Sequence, residues 1–115
     1  MLDKDNPIDL TFREAAQKAA SLAIQGAQGR QEAARILLKY CGGRLHSYIR
    51  NKSFRRANHE DAEEMVADTV MKFINSAAEI PADCAKDAWL YTIARNVVID
   101  WQRRQITEKR GGTDG

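Results

Sequence analysis

The chain has 115 residues, of which 43% are hydrophobic and 30% are charged, an ordinary balance for a single globular domain. Its 18 lysines and arginines against 16 aspartates and glutamates give a net charge of +2, too small by itself to indicate nucleic-acid binding. The two cysteines, Cys41 and Cys84, form no CxxC or Cys/His cluster, and no apolar run is long enough for a membrane span. These features argue against a disulfide framework, a zinc site and a membrane protein, and they predict a reducing, cytoplasmic compartment.

The charges are segregated along the chain. From Arg44 to Arg56 there are five basic residues and no acid, and from Glu60 to Asp68 there are five acids and no base. A second basic group follows near the C-terminus. The alternation indicates either two partners of opposite charge or a set of solvated helix faces.

Two helices are predicted in the first half of the chain, after a loose N-terminus over residues 1–8. Helical spacing of apolar residues predicts the first helix from about Asp9, a stop and turn at Gly26–Gly29, and a second helix from about Arg30. The glycine pair Gly42-Gly43 lies inside the apolar stripe of the second helix. Because interior glycines destabilise a helix, this pair indicates either a kink or a close approach of another helix.

A third helix is predicted to begin after Asn58 and to run to about Ala77. Asn58 has a side chain preferred at an N-cap, and Asp61 follows three residues later as in a capping box. One face of this helix is apolar. The opposite face carries residues at steps of three and four, namely Asp61, Glu64, Asp68, Met71 and Asn75.

The last helix is predicted to follow a loop over residues 79–83. It begins near Cys84 or Ala85 and runs to about Gln105, so that residues 108–115 are predicted to form a flexible linker. The domain is then expected over residues 9–107. With no convincing strand in the sequence, the predicted fold is an all-α, compact bundle of four main helices.

No motif for catalysis is present in the sequence, since a P-loop, GxGxxG, HExxH and GxSxG are all missing. His46 and His59 are predicted to stand apart, without a nucleophile beside them. The acids of the third helix lack a histidine or a second carboxylate helix, so their face is interpreted as an interaction surface. We therefore predict that the chain is not an enzyme and has no catalytic residue, metal or cofactor.

The third and fourth helices share a pattern with one protein family. The third helix contains Asp61-Ala62-Glu63, then Glu64, the apolar pair Met65-Val66, and Thr69. The fourth matches the family at Trp89, Leu90, Ile93, Ala94, Asn96, Asp100, Arg103 and Arg104. Over about residues 20–105 the chain resembles region 2 of bacterial sigma factors, most closely the extracytoplasmic-function class.

The resemblance implies that the third helix binds core RNA polymerase at the clamp coiled coil of its β′ subunit. The implied contacts are Asp61, Glu64, Asp68 and Met71. A row of acids suits a basic partner, because carboxylates form charge-assisted bonds with arginines. Ala67 stands where the family has Gln and Asp68 where it has Glu, which reduces reach and hydrogen bonding at these positions.

The resemblance also implies that the fourth helix recognises and melts the promoter minus-ten element and holds its non-template strand. Trp89 stands where the family has a melting aromatic, and its structural alternative is a partly buried core residue. The other implied DNA contacts are Thr92, Arg95, Asn96, Arg103 and Arg104, with Lys86 as a candidate phosphate ligand. Lys86 belongs to the loop where the family reads a flipped base.

Three residues of the fourth helix have structural interpretations. Arg95 is either a DNA contact or a surface partner of Asp100 or Tyr91. Asp100 is expected to bond back to the second helix, and Trp101 is expected in the core because it continues an apolar stripe. The basic group of Arg50, Lys52, Arg55 and Arg56 fits either single-stranded DNA or a solvated helix end.

Several alternatives stay open at this point. The chain is either a cut-out domain or a natural single-domain relative, because the domain that reads the minus-thirty-five element in this class is not in it. A sigma-like regulator and a helical protein-interaction adaptor are the alternatives that do not melt DNA. An anti-sigma factor is a further candidate partner that the sequence does not identify.

Overall fold

Four α-helices make up most of the computed structural model, which describes residues 10–114, with side chains described up to Glu108. The helices are α1 (Phe12–Ala23), α2 (Ala27–Lys52), α3 (His59–Asn75) and α4 (Lys86–Asp114), with a 3-10 turn at Ala77–Glu79. No strand occurs within these residues. The predicted all-α fold of four main helices is confirmed, whereas the predicted loose terminus at 1–8 lies outside the described residues.

The start of α1 is fixed by a capping box at Thr11. The Thr11 hydroxyl accepts a hydrogen bond from the Glu14 amide, and the Glu14 carboxylate accepts one from the Thr11 amide, both at 3.0 Å. These bonds satisfy amides that lack partners inside the helix. The helix therefore begins at Phe12, slightly later than the predicted start near Asp9.

The turn between α1 and α2 requires glycine at two positions. Gly26, the N-cap of α2, has a φ of 103°, a conformation that other residues rarely adopt. A Cβ at Gly29 would clash with the carbonyl oxygen of Leu22, so this glycine permits close contact between the helices. Because Gly29 is already helical, α2 begins at Ala27, before the predicted start at Arg30.

Gly42 and Gly43 do not mark a close helix–helix approach, and that part of the prediction is wrong. The α2 helix runs unbroken through both residues from Ala27 to Lys52. A Cβ at either position would meet no atom within 4 Å. Both glycines instead border a shallow surface groove between α2 and α3.

The core joins all four helices. Its fully buried large apolar side chains are Leu37, Leu45 and Ile49 from α2, Phe73 from α3, and Leu90 and Val98 from α4. The buried residues of α1 are mostly alanines, which let this helix lie close to its neighbours.

Cys41 is a small core residue. Its side chain is fully buried, and its thiol lies 3.8 Å from the Phe12 carbonyl oxygen. Burial raises the pKa of the Cys41 thiol to about 12, a shift that the nearby Arg44 partly opposes. The thiol is therefore protonated and unreactive in the folded chain near neutral pH.

An aromatic cluster ties the first half of α4 to α1 and α2. Tyr91 stacks on Phe12 with ring centroids 4.8 Å apart and meets the edge of Tyr48 at 5.0 Å. The Arg44 guanidinium lies over the Phe12 ring at 5.4 Å. Such contacts add to area burial and fix the rotation of α4 about its axis.

The turn between α2 and α3 contains two left-handed residues, Phe54 with a φ of 57° and Arg55 with a φ of 63°. Neither is glycine, and the conformation costs about 1–2 kcal/mol per residue. Ser53 anchors the turn, because its buried hydroxyl donates to the Arg50 carbonyl and accepts from the Ala57 amide. Phe54 is 81% exposed as a result.

The end of α4 lies beyond the predicted position. The helix continues past Gln105 to Asp114, so residues 108–114, predicted as linker, have a helical backbone. The domain boundaries themselves stay a prediction. Within the described residues, no helix combines the length and apolar character that a membrane span requires.

Candidate functional site

The α3 helix is capped and packed along its whole length. The Asn58 side chain accepts a hydrogen bond from the Asp61 amide at 2.7 Å, and Asp61 Oδ2 accepts one from the Asn58 amide at 3.3 Å. The predicted N-cap is confirmed. Seven residues between Ala62 and Ile74 are buried, which leaves the opposite side of the helix to solvent.

The solvent side of α3 carries three exposed residues in a row, Glu64, Asp68 and Met71, and we call it the acidic face. Met71 is 51% exposed, an unusual position for a large apolar side chain. Asp68 forms a surface ion pair with Lys72, with Nζ and Oδ2 3.8 Å apart. Glu64 has no side-chain partner among the described residues. The arrangement can bind a basic surface that also offers an apolar contact.

Asp61 and Asn75 lie at the two ends of the acidic face, and both have intramolecular partners. Asp61 is half-buried and serves the capping box. The side-chain amide oxygen of Asn75 accepts a hydrogen bond from the Arg30 guanidinium on α2. The freely available charge is therefore concentrated at Glu64 and Asp68.

A second surface lies on α4, where Thr92, Arg95 and Asn96 are exposed, and we call it the α4 polar face. The Thr92 hydroxyl donates to the Ala88 carbonyl at 3.0 Å. Within the described residues, the side chains of Arg95 and Asn96 make no hydrogen bond or ion pair. The predicted pairing of Arg95 with Asp100 or Tyr91 does not occur, so its guanidinium is available to a ligand.

Trp89 is half-buried at the edge of the core. Its indole N–H donates to the Ser76 hydroxyl at 3.1 Å, and that hydroxyl donates to the Phe73 carbonyl. Without DNA, Trp89 is therefore a partly buried residue packed against the core, which is the structural alternative given for it above. Sequence reasoning missed Ser76, because nothing in the pattern places the end of α3 beside the indole.

The loop before α4 borders a cavity of about 460 Å³ shared with α1. Lys86, the first residue of α4, and Cys84 line it from the loop side, and Gln17 and Ser21 line it from α1. Lys86 is half-buried there. The cavity has the dimensions and polar lining for a small planar group.

The far end of α4 places Arg103 and Arg104 in solvent. Asp100 is also exposed and has no side-chain bond within the described residues, so the predicted bond to α2 is wrong. Trp101 packs against the core but is only half-buried, which corrects its assignment as a core residue.

The basic group around the α2–α3 turn is largely solvent-exposed. Lys52, Arg55 and Arg56 are exposed, whereas Arg50 is half-buried with its Nε enclosed and without a partner among the described atoms. The same turn displays Phe54, which sequence reasoning also missed. A lone apolar residue inside a basic run was the available signal.

The two histidines do not stand apart, which corrects the prediction. The His46 and His59 rings lie 4.9 Å apart, and His59 Nε2 lies 3.1 Å from a Glu63 carboxylate oxygen. In the described part of the chain, no group of three or more His, Cys, Asp or Glu residues has a geometry that could hold a metal ion.

Comparison with known proteins shows which family this chain is related to. The model of the sigma-70 region 2 family matches residues 37–106. This range covers α2 from Leu37 onward, all of α3 and most of α4. The chain is 39% identical over 59 residues to "RNA polymerase sigma factor YlaC" of Bacillus subtilis (strain 168). That alignment covers 50% of this chain and 34% of the relative, so it spans about a third of the relative's length.

No solved structure matches the chain. The family match includes the acidic face and the α4 polar face and leaves α1 outside. The resemblance to region 2 of sigma factors of the extracytoplasmic-function class is confirmed, and the chain belongs to the sigma-70 region 2 family.

Proposed function

We propose that the chain acts in transcription initiation as region 2 of a sigma factor, a regulatory protein without catalytic activity. In this proposal the acidic face binds the β′ clamp coiled coil of core RNA polymerase. The α4 polar face and the loop before it recognise and melt the minus-ten element, mainly through the non-template strand. Separation of the two exposed faces on different helices is the observation that carries the proposal.

The acidic face supports polymerase binding through its unpaired charge. Among the described residues Glu64 is exposed without a side-chain partner, and Asp68 has only a solvent-screened pair with Lys72. Both carboxylates can therefore form bonds with arginines of a partner at little cost in lost internal contacts. Met71, which follows the two acids toward the end of α3, adds exposed apolar area next to them.

The α4 polar face supports DNA binding through unoccupied hydrogen-bonding groups. The Arg95 guanidinium suits phosphate, and the Asn96 amide can both donate to and accept from a base edge. The cavity beside Lys86 offers space for an unstacked base. Arg103 and Arg104 add positive charge farther along the same helix.

Polymerase binding is tested by co-elution with bacterial core RNA polymerase. We expect the wild-type chain to co-elute and the double variant Glu64→Arg/Asp68→Arg to elute alone. The matched control is Glu32→Arg/Glu79→Arg, which makes the same change in charge away from the acidic face, at the exposed Glu79 and at the half-buried Glu32, whose carboxylate pairs with Arg35. Loss of binding in both double variants would show that net charge, rather than this face, controls the interaction.

A second candidate function is a sigma-like regulator that binds polymerase without melting DNA, and the hydrogen bond between Trp89 and Ser76 favours it. An indole held by the protein has less freedom to stack on bases. Opening of a minus-ten duplex, followed by the fluorescence of a base analogue in the non-template strand, separates the two candidates. The regulator predicts polymerase binding without the fluorescence change.

A further inference from the structure

An open groove of about 590 Å³ lies between the α2–α3 turn and the C-terminal half of α4. Phe54, Trp101 and Ile106 form its apolar surface. Arg56, Gln102 and Gln105 lie along its polar edge. Asp61, at the N-terminal end of the acidic face, lines the groove, whereas Glu64, Asp68 and Met71 and the residues of the α4 polar face do not. The groove therefore lies beside the acidic face and is not part of it.

The apolar residues of this groove are unusually exposed. Phe54 is 81% exposed and Ile106 is 57% exposed, while Trp101 is half-buried between them and the core. Scattered exposed apolar residues are normal, but a contiguous group rimmed by polar side chains is typical of an interaction site. Here a turn and a helix that are distant in the sequence bring the three side chains together.

Backbone strain at the turn supports the same interpretation. Phe54 and Arg55 have left-handed backbones, although neither is a residue that tolerates this conformation easily. The Phe54 side chain on this strained backbone is 81% exposed, so burial of its ring does not offset the strain. Strained residues of this kind concentrate at binding sites.

The charge around the groove defines the partner. Lys52, Arg55 and Arg56 are exposed on the turn, and none forms an ion pair within the described residues. Asp61 also lines the groove, and its carboxylate accepts a hydrogen bond from the Asn58 backbone amide. Arg56 in the groove lining, with Lys52 and Arg55 next to it on the turn, therefore supplies unpaired positive charge within the described residues, which favours an acidic partner.

We propose that the groove between Phe54, Trp101 and Ile106 is a docking site for an acidic amphipathic helix of a partner protein. Apolar side chains of that helix enter the groove, and its carboxylates bond to Arg55 and Arg56. A single nucleic-acid strand fits less well, because Ile106 has no flat face for stacking and the Trp101 ring lies partly inside the wall. The proposal does not depend on polymerase or promoter binding.

Nuclear magnetic resonance tests this site directly, because the chain has only two tryptophans and hence two indole N–H signals. The probe is a synthetic peptide with Leu and Phe at helical spacing and Glu at the remaining positions. Its control has the same apolar residues with Lys replacing Glu. We expect the acidic peptide to shift the Trp101 signal and leave the Trp89 signal in place, and the basic peptide to shift neither.

Two substitutions on the apolar surface identify the contact. Phe54→Asn removes the ring and keeps a residue that tolerates a left-handed backbone, so the variant remains folded. Ile106→Ser changes an exposed position. Each substitution is expected to raise the dissociation constant of the acidic peptide by about tenfold, the effect of losing one buried apolar side chain. The control is Ile24→Ser, an equally exposed apolar residue outside the groove, which should leave affinity unchanged.

Other outcomes overturn the proposal. A missing Trp101 shift with the acidic peptide excludes the docking site, as does a shift that survives both Phe54→Asn and Ile106→Ser. A single-stranded oligonucleotide is titrated in parallel. If it shifts Trp101 in a Phe54-dependent way and the acidic peptide does not, the groove binds nucleic acid instead.

Discussion

The α3 and α4 helices differ in how much of their length the core holds. All of α3 is fixed, with a capping box at its start and buried residues from Ala62 to Ile74. In α4 the buried residues end at Val98, and from Ile99 to Glu108 every side chain is half-buried or exposed. The acidic face therefore lies on a helix packed along its whole length, whereas the α4 polar face lies on a helix that packs mainly through its first half.

This difference suits the two proposed partners. A fixed acidic face loses little conformational freedom when it binds another folded protein. A helix that projects beyond the core can follow a nucleic-acid backbone with Arg103 and Arg104.

The largest expected effect comes from removing the central anchor of α3. Phe73 is fully buried, so Phe73→Ala should lower the free energy of unfolding by about 3–5 kcal/mol. Ile106→Ala, on the projecting half of α4, should change it by less than about 0.5 kcal/mol. Urea unfolding of both variants measures the contrast, and similar costs at the two positions would contradict it.

Thiol labelling distinguishes the loop before α4 from the core. At pH 8 a thiol reagent should modify Cys84, which borders an open cavity, and not Cys41, which is buried with its pKa raised to about 12. If a minus-ten oligonucleotide occupies the cavity, it should slow Cys84 labelling by about tenfold, because the thiol then reacts only when the oligonucleotide has left. A tenfold change corresponds to about 1.4 kcal/mol of binding free energy. The control is labelling in the presence of core polymerase without the oligonucleotide. If polymerase and oligonucleotide protect Cys84 equally, the proposal that this loop binds DNA is contradicted.

The N-terminal cap of α3 contributes a smaller amount. Asn58→Ala removes the acceptor of the Asp61 amide and should lower the free energy of unfolding by about 1 kcal/mol. Asn58→Asp keeps an acceptor and should retain most of the stability. Thermal unfolding compares the two. An unchanged midpoint for Asn58→Ala would mean that packing alone fixes the start of α3.

The smallest effect concerns the hydrogen bond that joins the two helices. Ser76→Ala and Trp89→Phe both remove it, and a double-mutant cycle should give a coupling energy of about 0.5–1.5 kcal/mol. If the indole leaves Ser76 to stack on DNA, Ser76→Ala should bind the minus-ten oligonucleotide at least as well as wild type. Weaker binding by Ser76→Ala would indicate that the tethered position is the one that contacts DNA.

Local signals in the sequence predicted most of the fold. The Asn58 cap and the separation of apolar and acidic residues on α3 follow from side-chain chemistry and helical period alone. The start of α2 was less predictable because Gly29 is helical, and its role depends on the position of the Leu22 carbonyl. Contacts between distant residues decide such cases.

The candidate site was predictable to the extent that it depends on exposure. Spacing placed Glu64 and Asp68 on one face, and they are exposed together. The partner of Trp89 and the meeting of Phe54 with Ile106 depend on how the helices pack, which periodicity does not encode. The absence of a partner for Asp100 has the same origin, because only the fold determines which residues a side chain can reach.

The separation of the two faces is tested most directly by measuring two affinities on two variants. The first is Glu64→Arg/Asp68→Arg, and the second is Arg95→Ala/Asn96→Ala, which changes two exposed side chains that have no hydrogen bond or ion pair within residues 10–108. Dissociation constants are measured for core RNA polymerase and, at low ionic strength, for a single-stranded minus-ten oligonucleotide. We predict that the first variant loses at least tenfold in affinity for polymerase only, and the second at least tenfold for the oligonucleotide only. If both folded variants lose the same partner, or neither loses any, the assignment of separate faces is contradicted.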